Sequence, residues 1–492
     1  MNWLRPRASL TTADVHQAKR LFVYDGLFFQ LMFTLTTGPF IVAYALHMGA
    51  NNIVIGLLAA IMPLSQIAQI PSILLVERVR MRRLLVVVSA AASRVAWVPV
   101  VLIPWLVAPE YRVTALLGLL TIHYVFAAVA GCAFSSWIRD VIPVQDVNRF
   151  FGVRMAVATF FGAMASVGGA IFVDYAQGRF SDPITPYNIL FLVASVAGLA
   201  GAAALARTPE PAMVSNPDVD FVGLLKQPFH DPVFRRLLVF LGWWNFAINF
   251  AVPFFAVYLI ERIHLSMTWV LGLTVLGQLT NVVFYRVWGR FADMFSNKSV
   301  LLVCGPLFIT SFLLWPFTTL PEPHALTMTL LVFIHVLFGM SQAGVTLCTS
   351  NIALKSAPHG RATSYLAVNA LITGLAAMTA PILAGAAAEW YDAYELKLIV
   401  DWSYRSTGET GFSLAALDLR GLDFTFVVAF LLGMYALHRL MKVREDGEVE
   451  DKVVIRALVI ESAGLARRVT ASRRVRMPYM AIRQMMRRRI GG

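Results

Sequence analysis

Apolar residues in this chain gather into long blocks, and polar ones into the short gaps between them. Twelve blocks have helix length, at about 21–46, 53–75, 84–107, 113–137, 153–174, 187–206, 235–260, 268–288, 299–318, 326–351, 363–388 and 422–441. A helix needs about 20 residues to cross a hydrocarbon core of roughly 30 Å. The pattern therefore predicts twelve transmembrane helices. The first block is too long for the apolar core of a signal peptide, and no small-residue cleavage site follows it, so cleavage is not expected.

Composition agrees. Of 492 residues, 58% are hydrophobic and 14% charged, with a mean hydropathy of +0.68. Soluble domains average about 45–50% apolar and about 25% charged. Too few polar residues remain to cover a soluble surface, so lipid must cover much of it.

The net charge of +13 changes the picture through its distribution. Lys and Arg in short loops mark the cytoplasmic side of a membrane protein. With both termini inside, that side holds Arg5, Arg7, Lys19, Arg20, Arg78, Arg80, Arg82, Arg83, Arg139, Arg149 and Arg154. Arg207, Lys226, Arg235, Arg236, Arg286, Arg290, Lys298, Lys355 and Arg361 follow. Opposite them stand only Arg112, Arg179, Arg262, Lys397, Arg405 and Arg420. The basic excess thus reads as topology: a multi-pass protein of the plasma (inner) membrane, both termini cytoplasmic, with no nucleic-acid partner. The tail at 442–492 carries an Arg block from Arg467 to Arg489, interleaved with Met and Ile. Two readings stay open for it: a segment lying on anionic lipid, or a solvated tail.

Little in the chain suggests catalysis. Cys132, Cys304 and Cys348 all fall inside apolar blocks, without disulfide or metal-ligand spacing. There is no nucleotide-binding glycine loop. The chain is expected to be no enzyme, and to need no cofactor and no metal.

The sequence also repeats itself. "PFIVAYAL" (39–46) returns as "PFFAVYLI" (253–260), 214 residues on. Gly56-Leu57 returns as Gly272-Leu273, "IHYVF" (122–126) as "IHVLF" (334–338), and Pro143 as Pro358. Four matches in order at nearly one offset point to a duplicated six-helix unit. An even number of helices leaves both copies in the same orientation, related by an axis along the membrane normal. The organisation expected is a bundle at 1–206, a proline-rich cytoplasmic loop at 207–234, a second bundle at 235–441, and the tail at 442–492.

At this point the chain resembles the major facilitator superfamily, over roughly 15–441. Six plus six helices, a long middle loop and a signature after the second and eighth helices all fit. In "GRFADMFSNK", Gly289, Asp293 and Lys298 match the family's Gly-x-x-x-Asp and basic pattern. The first-half copy keeps Glu77, Arg78, Arg82 and Arg83 but has Ile73 where the family has glycine. The resemblance implies that these loops latch one half against the other, a carboxylate near a neighbouring helix N-terminus favouring the latch. It also implies a functional monomer. The family's antiporter signature on the fifth helix is absent, with only Gly168-Gly169 remaining.

Ionisable residues deep in a membrane helix are functional candidates by default. His123 and His335 occupy equivalent places in helices four and ten, two of the four (one, four, seven and ten) that line the central path in the family. They are read either as a pair facing one cavity and relaying protons, since histidine titrates near neutral pH, or as neutral rings satisfied by neighbouring helices. Arg94 lies about ten residues into helix three. It opposes insertion by about 2.5–3.5 kcal/mol, which eleven Leu, Ile and Val neighbours at about −0.3 to −0.6 each roughly offset. It is read as a clamp for an anionic group or as a structural pair. Asp25 is placed near the start of helix one, and no mid-span Asp or Glu is expected. Polar stripes at helical spacing add Gln30, Thr34 and Thr37 on helix one. Asn245 and Asn249 on helix seven, and His335, Gln342, Thr346 and Thr349 on helix ten, extend them. These stripes fit a water-filled route; their other reading is bonding between helices, at about 0.6 kcal/mol each. Phe29, Phe33, Trp243, Trp244 and Phe250 beside them suit an amphiphilic solute.

The expectation is a secondary active transporter that moves a small organic solute by alternating access. Proton coupling remains open, with the histidine pair as its carrier. The rival is a transporter-like receptor or assembly factor that moves nothing, to which the basic tail and the stretch near 389–423 would lend binding surfaces.

Overall fold

In lipid every backbone N–H and C=O must find its partner inside the segment, which leaves helices as the economical solution for such sequences. The computed structural model describes residues 6–7, 9–143, 146–213, 228–319, 322–356, 362–403, 410–443 and 445. Most of the middle loop (214–227) and the tail beyond 445 lie outside the described residues, as do 404–409 and Arg361. Among the described residues, eleven helices are long and apolar enough to cross a membrane: Thr12–His47, Asn52–Val79, Arg82–Leu106, Pro109–Val141, Phe150–Ala176, Thr185–Ala206, Pro232–Arg262, Met267–Met294, Thr327–Lys355, Tyr365–Tyr391 and Leu422–Leu440. The shorter apolar helix Asn297–Leu313 completes the set. They are numbered spans 1 to 12 in chain order, six to a bundle. Span 1 begins and span 12 ends on one side, termed the terminal side; the other is the far side.

Span 1 starts nine residues earlier than its hydropathy suggests. Thr11 and Asp14 form a reciprocal cap: the Thr11 hydroxyl accepts from the Asp14 amide at 3.2 Å, and the Asp14 carboxylate accepts from the Thr11 amide at 3.0 Å. The added turns carry His16, Lys19 and Arg20, which dilute the apolar signal without weakening the helix. Asp25 consequently lies more than three turns inside the span and is buried. Its carboxylate is therefore enclosed by protein and does not stand at a helix end.

The two repeated lines mark matching breaks. Span 1 interrupts at Thr37-Gly38 and restarts at Pro39; span 7 tightens over Val252–Phe254, around Pro253, and continues through a π-turn at Tyr258–Arg262. Proline supplies no N–H and its ring collides with the carbonyl four residues back, so each helix must re-aim there. The tyrosine of each line then enters its own bundle's core. Tyr44 donates its hydroxyl to the Val100 carbonyl on span 3 at 2.9 Å; Tyr258 donates to Asp423 on span 12 at 2.9 Å.

Around these tyrosines both bundles build the same aromatic cluster. In the first, Tyr44 meets Phe191 (ring centroids 4.9 Å), Trp97 meets Phe191 (5.0 Å) and Trp97 meets His123 (5.3 Å). In the second, Tyr258 meets Phe426 (5.4 Å), Trp315 meets Phe426 (5.4 Å) and Trp315 meets His335 (5.7 Å). Each cluster joins the first, third, fourth and sixth helices of its bundle. Edge-on aromatic pairs contribute about 0.5–1.5 kcal/mol beyond burial, so the cluster is a substantial clamp.

The bundles pack on each other chiefly toward the far side. Gly56 on span 2 sits against the Pro381 carbonyl of span 11, and Gly385 against Asn52; a Cβ at either glycine would collide with backbone. Small residues permit such close helix approach. The Asn52 amide also donates to Glu389 at 3.2 Å, and Asp174 on span 5 accepts from the Met267 and Thr268 amides of span 8 at 2.9 and 2.7 Å. Beyond Pro63 and the tight turn at Gln66–Ala68, span 2 is re-aimed, and it is its far-side half that packs along span 11.

One element departs from the all-helical expectation. Between spans 11 and 12, strands β1 (Glu395–Ser403) and β2 (Thr410–Arg420) pair antiparallel. Leu396 and Leu398 alternate with Glu395 and Lys397 along β1, and the register shifts between Leu398 and Ile399, where the apolar run Leu398–Val400 interrupts the alternation.

Candidate functional site

A cavity of about 230 Å3 lies inside the first bundle, and its lining residues all come from that bundle. Asp25 and Arg94 form its charged floor. The Asp25 carboxylate takes Arg94 Nη2 on Oδ1 at 3.1 Å and faces Arg154 Nη2 with Oδ2 at 3.6 Å. Arg94 Nη1 also donates to the Gly198 carbonyl at 2.5 Å, and Arg154 Nε to the Phe22 carbonyl at 3.1 Å. Gly26 makes room for the second arginine: a Cβ there would lie 2.8 Å from Arg154 Nε. One carboxylate and two guanidiniums from spans 1, 3 and 5 thus share one buried place.

The walls are largely apolar. Phe29, Phe33, Met62, Tyr124 and Phe134 line them, and the Arg154 guanidinium stands 5.3 Å from the Phe134 ring centroid. His123 lines the same cavity and donates Nδ1–H to the Ser93 carbonyl at 2.7 Å. Phe29 and Met62 are 40% and 42% exposed, which places them at the mouth.

The other sequence candidates lie elsewhere. His335 donates to the Leu331 carbonyl of its own helix at 2.8 Å and is not among the residues lining this cavity, so the two histidines are equivalent in architecture without meeting at this cavity. Gln30 donates to Thr34 at 3.1 Å, and both pack beside Gly162 of span 5. Asn245 and Asn249 donate back to the carbonyls of Leu241 and Asn245, at 2.9 and 2.8 Å. Gln342 is half-buried on span 10.

The latch candidates lie at the terminal side. Asp293 is exposed, and among the described residues no hydrogen bond or ion pair reaches it. Arg78 is exposed, and Glu77 offers only its carbonyl, to Arg80 Nε at 3.2 Å. Gly289 meets Leu347 at ordinary contact distance. Lys298 is instead buried at the start of span 9, where its amide donates to Glu445 at 2.7 Å. Glu210 holds span 3 in the same way, accepting from the Arg82 and Arg83 amides at 2.6 and 3.2 Å. Burial pushes the Glu210 carboxyl above its ordinary value, against the pull of those amides and of the two arginines.

Sequence reading assigned Arg154 to a loop and Asp25 to a helix end, and gave Glu210 and Glu445 no role. The capping pair Thr11–Asp14 was the available signal for Asp25. For Arg154 it was the apolar run on both sides of the residue.

Comparison with known proteins follows this geometry. The family profile described as Major Facilitator Superfamily matches residues 26–381. A comparison with curated proteins returned no match. Among solved structures, the nucleoside transporter NupG is similar at 11% identity and a TM-score of 0.58, covering 87% of this chain and 98% of that one. A bacterial homologue of the human lysosomal transporter Spinster, inward-facing and unoccupied, is similar at 15% identity and 0.59, covering 88% and 96%. The xylose transporter XylE from E. coli, inward open, is similar at 13% identity and 0.57, covering 90% and 99%. At such identities the likeness is one of fold.

Proposed function

Because this chain belongs to the major facilitator superfamily, we propose that it is a secondary active transporter that moves a small organic solute across the membrane by alternating access, working as a monomer. The observation that carries the reading is the asymmetry between the two sides. The bundles are pinned together at the far side through Gly56, Gly385 and Asp174, while among the described residues the latch residues Asp293, Glu77 and Arg78 make no ion pair at the terminal side. This is how a carrier open to the terminal side would be arranged. Each bundle has its own aromatic clamp and so can move as a body. The bundles proposed are 1–206 and 235–441, joined by 207–234.

The basic residues gathered at the terminal side support a cytoplasmic placement of both ends in an inner membrane. If protons drive the cycle, Asp25 and His123 are the titratable groups at the cavity, and they replace the two-histidine relay as the proposed carriers. Buried ionisable groups in transporters commonly mark such routes.

The test is flux. Purified protein in liposomes is loaded with a small-molecule pool extracted from its cells, and the solutes that escape are identified against vesicles carrying Gly385→Leu. At least one solute should leave only through the unmodified protein. Identical retention of every solute would leave the reading without support and favour the non-transporting receptor.

A further inference from the structure

We infer that the first-bundle cavity binds an organic monoanion with a compact apolar body, most simply a small carboxylate. This deepens the transporter reading and rests on it only for the claim that the bound anion is cargo.

The charge count leads there. Asp25 carries one negative charge, Arg94 and Arg154 carry two positive charges, and among the described residues no other acidic side chain lines the cavity. His123 gives its Nδ1 proton to the Ser93 carbonyl and is counted as a neutral ring. Empty, the site holds one positive charge in excess. Burying an uncompensated charge is expensive, and the protein repays it only with a partner of opposite sign. One bound anion brings the sum to zero; a dianion, a neutral solute or a cation does not.

The donors are also in place. A guanidinium has five N–H groups in a fixed fork suited to a carboxylate. Arg154 spends Nε on the Phe22 carbonyl and directs Nη2 at Asp25, and its side chain keeps 16% exposure. Its remaining N–H groups have no partner among the described residues, and the side chain lines the cavity beside Phe134. Arg94 is held more firmly, by Asp25 and Gly198, and positions the carboxylate that in turn orients Arg154.

The rest of the ligand follows from the walls. Phe29, Phe33, Met62 and Tyr124 offer an apolar and aromatic surface with few polar groups. About 230 Å3 lies below the usual roughly 300–1,000 Å3 of sites for drug-sized ligands. That suits a carboxylate on one ring or a short chain better than a larger solute, which would have to extend through the mouth at Phe29 and Met62. The empty site also resists sealing while charged, so closure around the cargo is favoured when the anion is bound.

The experiment titrates full-length protein in detergent with three bodies, phenyl, cyclohexyl and n-butyl. Each is offered as the acetate, the acetamide and the ethylammonium, with phenylmalonate as a dianion. At least one carboxylate should bind about tenfold or more tightly than its amide and its ammonium partner. Arg154→Gln should weaken that binding about tenfold or more, the size expected for a lost charge-assisted hydrogen bond. Ala127→Phe, which fills the cavity without touching the charges, should abolish it while leaving the melting temperature in place. Asp25→Asn, with two positive charges unopposed, should move the preference toward phenylmalonate. Binding of none of the three carboxylates overturns the inference. So does equal affinity for amide or ammonium, or binding unchanged in both Arg154→Gln and Ala127→Phe. Flux separates the two readings: a carboxylate that binds while every solute of the pool is retained leaves the site and removes the carrier. A different class of solute crossing without carboxylate binding does the reverse.

Discussion

Replacing Arg94 by leucine removes the most buried cation of the membrane interior described above. In the unfolded, membrane-inserted chain the change is favourable, since a central Arg costs about 2.5–3.5 kcal/mol on the insertion scale. In the folded bundle it is not. Asp25 loses its 3.1 Å partner and keeps only Arg154 at 3.6 Å, while the Gly198 carbonyl loses its donor. The side chains of Arg94 and Asp25 are 5% and 6% exposed, so only water entering the cavity could replace part of the lost contacts. Removing one partner of a buried pair costs about 3–5 kcal/mol, against about 0–1 kcal/mol for a surface pair. The buried first-bundle tryptophans Trp97 and Trp137 provide the assay, because their fluorescence reports the opening of that bundle on heating. Arg94→Leu should lower the midpoint by several degrees, and Asp25→Asn should do so as well. Combined, they should lose less than the sum, with a coupling of about 1–3 kcal/mol. A single mutant within about 1 kcal/mol of the unmodified protein, or strict additivity, would show that the pair does not hold the bundle.

Three further outcomes follow from the same structure. Tyr258→Phe should destabilise by about 1.5–3 kcal/mol, since its hydroxyl serves the Asp423 carboxylate, while Tyr44→Phe, which loses only a carbonyl partner, should cost about 0.5–1.5 kcal/mol; thermal midpoints compare them, and a larger loss at Tyr44 would contradict the assignment. Glu210→Gln should change how stability depends on pH. With the carboxyl held above its ordinary value, the stability linked to its proton is present below the ordinary carboxylate range and lost as pH rises through the raised value. The unmodified protein should therefore lose ground to Glu210→Gln as pH climbs from acid toward neutral; a gap moving the other way would refute the shift. Lys298→Met should leave the Glu445 contact to the backbone amide in place but remove a buried ammonium that reaches the Met441 carbonyl at 3.5 Å, and cost about 1–3 kcal/mol, measured in the same melts.

The fold was legible in the sequence because its strongest signals are long-range and redundant. Twelve apolar blocks, a charge bias and four matched landmarks each give the six-plus-six plan, and an error of a few residues in any block leaves it intact. The matched landmarks also had a physical content beyond ancestry. Tyr44 and Tyr258, and His123 and His335, recur because each bundle closes its third and sixth helices over the same aromatic cluster. That explanation was hidden, since Trp97 and Trp315 are spaced differently from the histidines they touch. The site was less legible. Hydropathy places a helix end where polar residues begin, so Asp25 looked terminal and Arg154 looked like loop. Only the cap at Thr11 and Asp14 reveals that the helix continues. The hairpin at 395–420 was missed for a related reason: in a chain read by helix-length windows, a period of two is averaged away.

The central claim is that the bundles exchange which side they close. Spin labels at Ile53 and Trp390 report the far side, and labels at Glu77 and Asp293 report the terminal side, each pair spanning the two bundles. In lipid nanodiscs, the distances should change in opposite senses: the unmodified protein short at the far side and long at the terminal side, and Gly385→Leu, which forces span 11 off Asn52, reversed. A far-side distance that lengthens while the terminal-side distance stays fixed, or two distances that never move in either protein, would contradict the account.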